Sequence, residues 1–127
     1  MQRHEQKTIQ KLLAELVRKK RCPFPGPGEK LEASKGKGVY IIYHPQGRVF
    51  HVGSTPRAKG GVAQRLRDHL AGRSSFVQKE FNGDGSQLRR VYEFQYLVVE
   101  NGRRRALLEA LGTGQLCPKH IGHGGDE

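Results

Sequence analysis

Two short runs rich in β-branched and aromatic residues, Val39-Tyr40-Ile41-Ile42-Tyr43 and Arg48-Val49-Phe50-His51-Val52, flank Pro45-Gln46-Gly47. No other segment of the chain leaves so few options. Side chains of this shape fit the pleated surface of a sheet better than a helix. Proline presets φ for a turn and glycine accepts φ > 0, so the chain reverses between the runs. A β-hairpin over residues 38–53 follows, and the remaining elements have to cover it. The turn also decides which side chains share a face. A two-residue loop at Pro45-Gln46 sets Tyr40 directly opposite His51. A three-residue loop with a bulge at Gly47 shifts the pairing by one, sending the two rings to opposite faces unless a further bulge restores register. The sequence permits either.

Ile9, Leu12, Leu13, Leu16 and Val17 recur at helical spacing and predict an amphipathic helix over residues 5–20. Proline and glycine in the run from Cys22 to Gly28 predict an irregular connector, and the polar stretch from Glu29 to Lys37 reads as loop. After the hairpin comes a polar loop over 54–60, then a helix over 61–70 with Val62, Leu66 and Leu70 as its apolar stripe. Ser74 or Ser75 is placed to cap a short helix through Phe81. A strand is predicted over 88–100, with a buried centre from Tyr96 to Val99. The last helix is predicted over 103–111, stopped by Gly112 and Gly114, with Pro118 barring its resumption. The fold class that results is α+β: a small three-stranded, mostly antiparallel sheet flanked by helices, with an extra N-terminal helix. A chain of 127 residues supports one modest core. Residues 1–36 read as a helix and linker, 37–121 as the domain that carries the chemistry, and 122–127 as a flexible tail.

The formal net charge is +11, from 23 Lys and Arg against 12 Asp and Glu. Such an excess draws polyanions from a distance, and points to nucleic acid ahead of an anionic membrane surface. No run approaches the roughly 20 apolar residues of a membrane span. The opening Met1-Gln2-Arg3-His4-Glu5 has no apolar core of a secretory signal, so a cytoplasmic location is expected. Cys22 and Cys117 stand far apart and outside any C-x-x-C pair, which argues against a disulfide framework or a cysteine zinc site.

Several side chains could serve phosphate chemistry. Arg65 and His69 lie at i, i+4 and share a helix face one step off the apolar stripe, at the border of core and solvent. A guanidinium there can clamp a phosphate through two N–H groups, and an imidazole beside it can take or give a proton. Taken alone, such a pair is more often a surface feature. Tyr40 and His51 offer a phenol and a second imidazole on neighbouring strands. Glu109, on the last helix, shares a face with Arg105, Ala106, Gly112 and Thr113, small neighbours that leave room for an ion. One carboxylate with waters and a substrate phosphate is a common way to hold Mg²⁺; an i, i+4 ion pair with Arg105 is the plainer role. Convergence of Tyr40, His51, Arg65 and Glu109 on one concave basic surface separates the catalytic reading from the plainer ones.

The ordered set resembles the GIY-YIG nuclease family. Gly38-Val39-Tyr40 corresponds to its first motif and His51-Val52-Gly53 to its second, with His in place of Tyr. Arg65-Leu66-Arg67-Asp68-His69 corresponds to its Arg-x-x-x-His helix, Leu108-Glu109-Ala110-Leu111 to its metal-binding helix, and Pro118-Lys119-His120 to the proline turn that follows. The resemblance runs from about Lys37 to Ile121. It implies a divalent-metal-dependent DNA endonuclease, a hydrolase that leaves a 5′-phosphate and a 3′-hydroxyl, with RNA as the alternative substrate. Tyr40 and the group at the second motif would line the site, one of them activating water. Arg65 would stabilise the scissile phosphate, His69 would orient or deprotonate the nucleophile's partner, and Glu109 would bind one Mg²⁺ or Mn²⁺. Gly38 and Gly53 would allow close backbone packing. Three departures stand out. His51 puts an imidazole of ordinary pKa about 6.5 where a phenol of about 10 would stand. The loop from Ser54 to Gly61 is longer than in compact members. Ile121 stands near the place of a polar Asn. Arg57, Lys59, Arg67, Arg73, Lys79 and the cluster Arg103-Arg104-Arg105 would supply nucleic-acid backbone contacts. The helix at 5–20 is the expected docking surface for a protein partner or a second copy. The alternative is a catalytically inactive nucleic-acid-binding or interaction module on the same fold.

Overall fold

The computed structural model describes residues 2–55 and 59–121, so Arg57 and the tail over 122–127 lie outside the described residues. The elements are α1 (Gln2–Arg18), β1 (Cys22–Pro23), β2 (Gly38–Tyr43), β3 (Val49–Ser54), α2 (Gly61–Leu70), α3 (Ser75–Phe81), a 3-10 turn (Gly85–Leu88), β4 (Glu93–Val98) and α4 (Gly102–Leu116). The class is α+β, with one antiparallel sheet in the order β1-β4-β2-β3. That sheet has four strands where three were expected. The extra one comes from the proline-rich connector: Cys22 pairs with Phe94 and Pro23 with Glu93. Proline is tolerated because β1 is an edge strand, where the ring need not supply a ladder N–H.

The hairpin reaches its register through two irregularities. Gly47 N–H donates to His44 O at 2.7 Å, and Gly47 sits at φ 91°, a conformation glycine adopts without penalty. The loop is therefore three residues long. A bulge follows: Tyr43 lies opposite Val49 but Ile42 lies opposite His51, leaving Phe50 as the extra residue. Together the two offsets shift the pairing by two, so Tyr40 faces Gly53 across the ladder. Side chains alternate with period two, so an even shift returns Tyr40 and His51 to one face. They are diagonal neighbours there, not directly opposite.

Two other boundaries differ from expectation. The strand expected from residue 88 begins at Glu93, because Arg90 takes a left-handed φ of 70° that no extended run can contain. The last helix does not stop at Gly112 but continues to Leu116, and turns out of the helix at Cys117, φ 48°. A helical glycine costs about 1 kcal/mol relative to alanine. Burial of Gly112 against Val52 and Leu13 offsets that cost.

Behind the sheet, Ile9, Leu13 and Leu16 of α1 pack with Val39, Ile41 and Leu97, and with Leu108 of α4. Leu16 is 0% exposed. The helix expected as a docking arm is thus part of the core, with its apolar face covered by the sheet. Arg103 ties α1 to α4, donating to Glu5 from Nε at 2.7 Å and from Nη2 at 3.0 Å. In front of the sheet, Tyr40, Ile42, Phe50, Leu66, Phe76 and Phe94 form a second, more aromatic cluster beneath α2 and α3.

Candidate active site

Tyr40 points from the middle of the sheet into the front cluster, where its hydroxyl lies 2.7 Å from His69 Nε2. The other nitrogen of that ring, Nδ1, lies 2.6 Å from Ser74 Oγ. Ser74 also caps α3, accepting from Val77 N–H at 3.2 Å. One serine therefore starts a helix and anchors an imidazole. His69 was expected at the border of core and solvent; it is fully buried, because α3 folds back over α2 and sets Phe76 edge-on against it.

His51 stacks flat on Phe76, with ring centres 4.6 Å apart and planes 9° apart. Its ring centre lies 5.9 Å from that of Tyr40 and 5.4 Å from that of His69. The bulge is what allows this, since consecutive residues Phe50 and His51 both turn to Phe76. Gly53 completes the arrangement. A side chain there would collide with the Tyr40 hydroxyl and come within 3.0 Å of His51 Nε2. The phenol oxygen and the imidazole nitrogen thus flank the space over a bare Cα. At Gly38 a side chain would collide with the Leu97 carbonyl.

Arg65 stands one helical turn before His69 with 29% of its side chain exposed. Its closest carboxylate among the described residues, Asp68, is 4.0 Å away, so the guanidinium is only weakly engaged. Glu109 reaches the same region from α4, its Oε1 accepting from Ser54 Oγ at 2.6 Å. Arg105 is not its partner. That guanidinium is buried, 8% exposed, and donates to the carbonyls of Val99 at 3.0 Å and Glu100 at 3.1 Å. Arg105 therefore holds the β4–α4 corner, and it is withdrawn as a nucleic-acid contact.

The electrostatics of these groups are coupled. Burial pushes the Tyr40 phenol well above its ordinary value; the Arg65 charge works against this and Glu109 adds to it. Burial, then the charges of His120 and Arg65, push His51 down to about 3. His69 falls well below its usual range through burial, then through His51, Arg65 and His120. At neutral pH the site thus holds a protonated phenol, neutral imidazoles and a cationic guanidinium. As for a metal, no group of three His, Cys, Asp or Glu side chains gathers among the described residues. Glu109 remains, a half-buried carboxylate with a single hydrogen-bond donor among the described residues. It suits a hard cation that keeps several waters and takes phosphate oxygens from its substrate.

The fold thus gathers Tyr40, His51 and His69 in direct contact, with Arg65 and Glu109 near enough to bias their protonation. Sequence reasoning missed the groups that hold them. Ser74 was legible only as a cap, and Ser54 carried no signal. His120 was read only as part of a turn, yet its ring centre is 5.2 Å from that of His51. Ile121, weighed as a lost polar contact, is exposed. Of the basic residues singled out, Lys59, Arg67, Lys79 and Arg104 are exposed, Arg73 pairs with Asp68 at 3.1 Å, and Arg103 is held by Glu5. Arg67 and Arg73 line a groove with Lys30 and Leu70. Compared with known proteins, the chain matches no protein-family model and no curated sequence.

Proposed function

We propose that this protein is a divalent-metal-dependent endonuclease of the GIY-YIG type, hydrolysing phosphodiester bonds in DNA. The observation that carries the reading is the meeting of Tyr40, His51 and His69 over Gly53, with Arg65 and Glu109 alongside. These residues come from four separated stretches of sequence, and each is polar in a place where an apolar side chain would pack more simply.

Arg65 binds the scissile phosphate through two N–H groups and neutralises the charge that builds in the transition state. His51 is the proton acceptor. Its imidazole is neutral at working pH, whereas burial keeps the Tyr40 phenol protonated. A seated anionic phosphate favours the protonated imidazole, raising its basicity when substrate is present. Tyr40, locked by His69, positions the attacking water and donates to the phosphate. Glu109, oriented by Ser54, holds one Mg²⁺ or Mn²⁺, which when bound polarises the phosphate and stabilises the leaving oxygen. Exposed Lys59, Arg67, Lys79 and Arg104 contact the backbone without reading sequence.

Incubation of supercoiled plasmid with Mg²⁺ or Mn²⁺ tests this. The wild type should nick it, and Glu109→Ala and Arg65→Ala should each lose about 100-fold or more. Equal cutting by all three would mean a contaminating nuclease. Salt-dependent binding without cleavage under any metal would favour the non-catalytic module.

A further inference from the structure

Among the described residues, two buried side-chain atoms lack any hydrogen-bond partner: Nδ1 of His51 and Nε2 of His120. Buried polar atoms are rarely left so. Their rings lie 5.2 Å apart, tilted by 50°, and both rest against Phe76. An imidazole nitrogen sits about 1.1 Å from its ring centre, so nitrogens that face each other across this gap are about 3 Å apart, the length of an N–H···N bond. The far side of His120 is also defined. Its Nδ1 lies 3.4 Å from Oε2 of Glu80, a carboxylate with 12% of its side chain exposed. An ionised carboxylate only accepts, so His120 carries its proton on Nδ1 and leaves Nε2 as a lone pair. The group able to fill that lone pair is an N–H on Nδ1 of His51. Nε2 of His51 is then bare, and it is the atom that faces the Tyr40 hydroxyl over Gly53.

We infer that Glu80 and His120 are positioning residues for His51, fixing the tautomer in which its Nε2 accepts the proton of the attacking water. The inference rests on the nuclease reading and names the members of its site that the motifs do not contain. In the reaction, the water oxygen bonds to phosphorus as its proton passes to Nε2. The bond from phosphorus to the 3′ oxygen breaks, and that oxygen takes a proton from solvent. The imidazolium later releases its extra proton to solvent, and nothing is oxidised or reduced. Both rings are neutral beforehand. Burial holds each below its usual value, opposed at His120 by Glu80 and reinforced there by Lys79, and at His51 by the charges of His120 and Arg65. The remaining charged group at this end, Lys119, also pairs with Glu80, at 3.5 Å. Neither His120 nor Glu80 needs to touch substrate. Their role parallels that of groups that orient a base by taking its second N–H.

Nitrogen-15 spectra of the imidazole side chains, recorded on the full chain at pH 7 without metal or DNA, read the tautomers directly. His51 and His120 should both be protonated at Nδ1, and His120→Ala should move His51 toward protonation at Nε2. A wild-type His51 protonated at Nε2 overturns the inference, and does so whether or not the protein cuts DNA. Kinetics supply the second readout. His120→Ala and Glu80→Ala should lower kcat about 10- to 100-fold with KM for plasmid within about twofold, while Glu80→Gln, which keeps an acceptor, should retain most of the rate. Unchanged kcat in folded His120→Ala also overturns it. The expected tautomers in a protein that cuts nothing would retire the nuclease reading and leave the hydrogen-bond chain standing.

Discussion

Behind the sheet, Ile9, Leu13, Leu16 and Leu108 pack on Val39, Ile41, Val52 and Leu97 with no polar group among them. In front of it, at similar depth, Tyr40, His69 and Ser74 are buried in a chain of hydrogen bonds that ends on the cap of α3. The same strands build both sides, since alternate residues of β2 serve each. The back is held by volume, so any side chain that fills the space will do. The front is held by pairing, so each polar atom depends on a particular neighbour and leaves it stranded when removed. One side can drift in sequence while the other cannot.

The sharpest way to break this comparison is to alter one residue on each side. Leu16→Ala should cost about 2–5 kcal/mol in denaturant unfolding and leave the cleavage rate per folded molecule unchanged. Tyr40→Phe should cost about 1–3 kcal/mol, because His69 Nε2 loses its partner, yet cut cleavage by about 100-fold or more. A folded Leu16→Ala protein with tenfold lower activity would show that the two sides are coupled through the strands. Next comes Gly53→Ala. The new methyl must displace the Tyr40 hydroxyl, so cleavage should fall about 10- to 100-fold, with a stability loss of about 1–3 kcal/mol; wild-type kinetics would mean that the Tyr40 ring moves aside freely.

A smaller effect separates the sides by pH. His51 and His69 take up protons less readily when folded than when unfolded. The unfolded chain therefore binds more protons between the unfolded value near 6.5 and the folded value of about 3 for His51. Stability should be fully present above pH 6.5 and fall as pH drops toward 3, by on the order of 1 kcal/mol per pH unit for each group. Thermal melts from pH 7 to 4 should show that slope, and His51→Gln should flatten it. Smallest is the contrast of two neighbours on α4. Arg104→Ala should leave stability within about 0.5 kcal/mol and lower the salt slope of DNA binding by about 1. Arg105→Ala should instead destabilise by about 1–3 kcal/mol, by freeing two carbonyls.

How much of this was legible in the sequence depended on the kind of signal. The hairpin, α2 and the cap at Ser74 were readable because local chemistry dictates them: branched residues, a turn, a serine before an apolar run. The register was not, because it hung on a bulge at Phe50 that no residue type announces. The two-residue strand at Cys22–Pro23 was hidden by the proline that makes it an edge. Gly112 misled because its helix cost was visible while the packing that offsets it was not. At the site, Tyr40, His51, Arg65, His69 and Glu109 could be named from their order along the chain. Their supports, Ser54, Ser74, Glu80 and His120, could not, since each acts through a long-range contact that leaves no periodicity behind.

The sheet margins bear on how copies of this chain behave in company. At one edge β1 is two residues long and contains Pro23. At the other, the backbone N–H groups of Lys119 and His120, just past Pro118, occupy the carbonyls of Val49 and Phe50. An open strand edge is a template for the next molecule, and short or proline-bearing margins are how sheets refuse it. A chain of net charge +11 is gathered densely onto any polyanion it meets. Crowded there, these molecules would find little free strand edge to pair with, and a lowered barrier to aggregation is the expected cost of opening either margin.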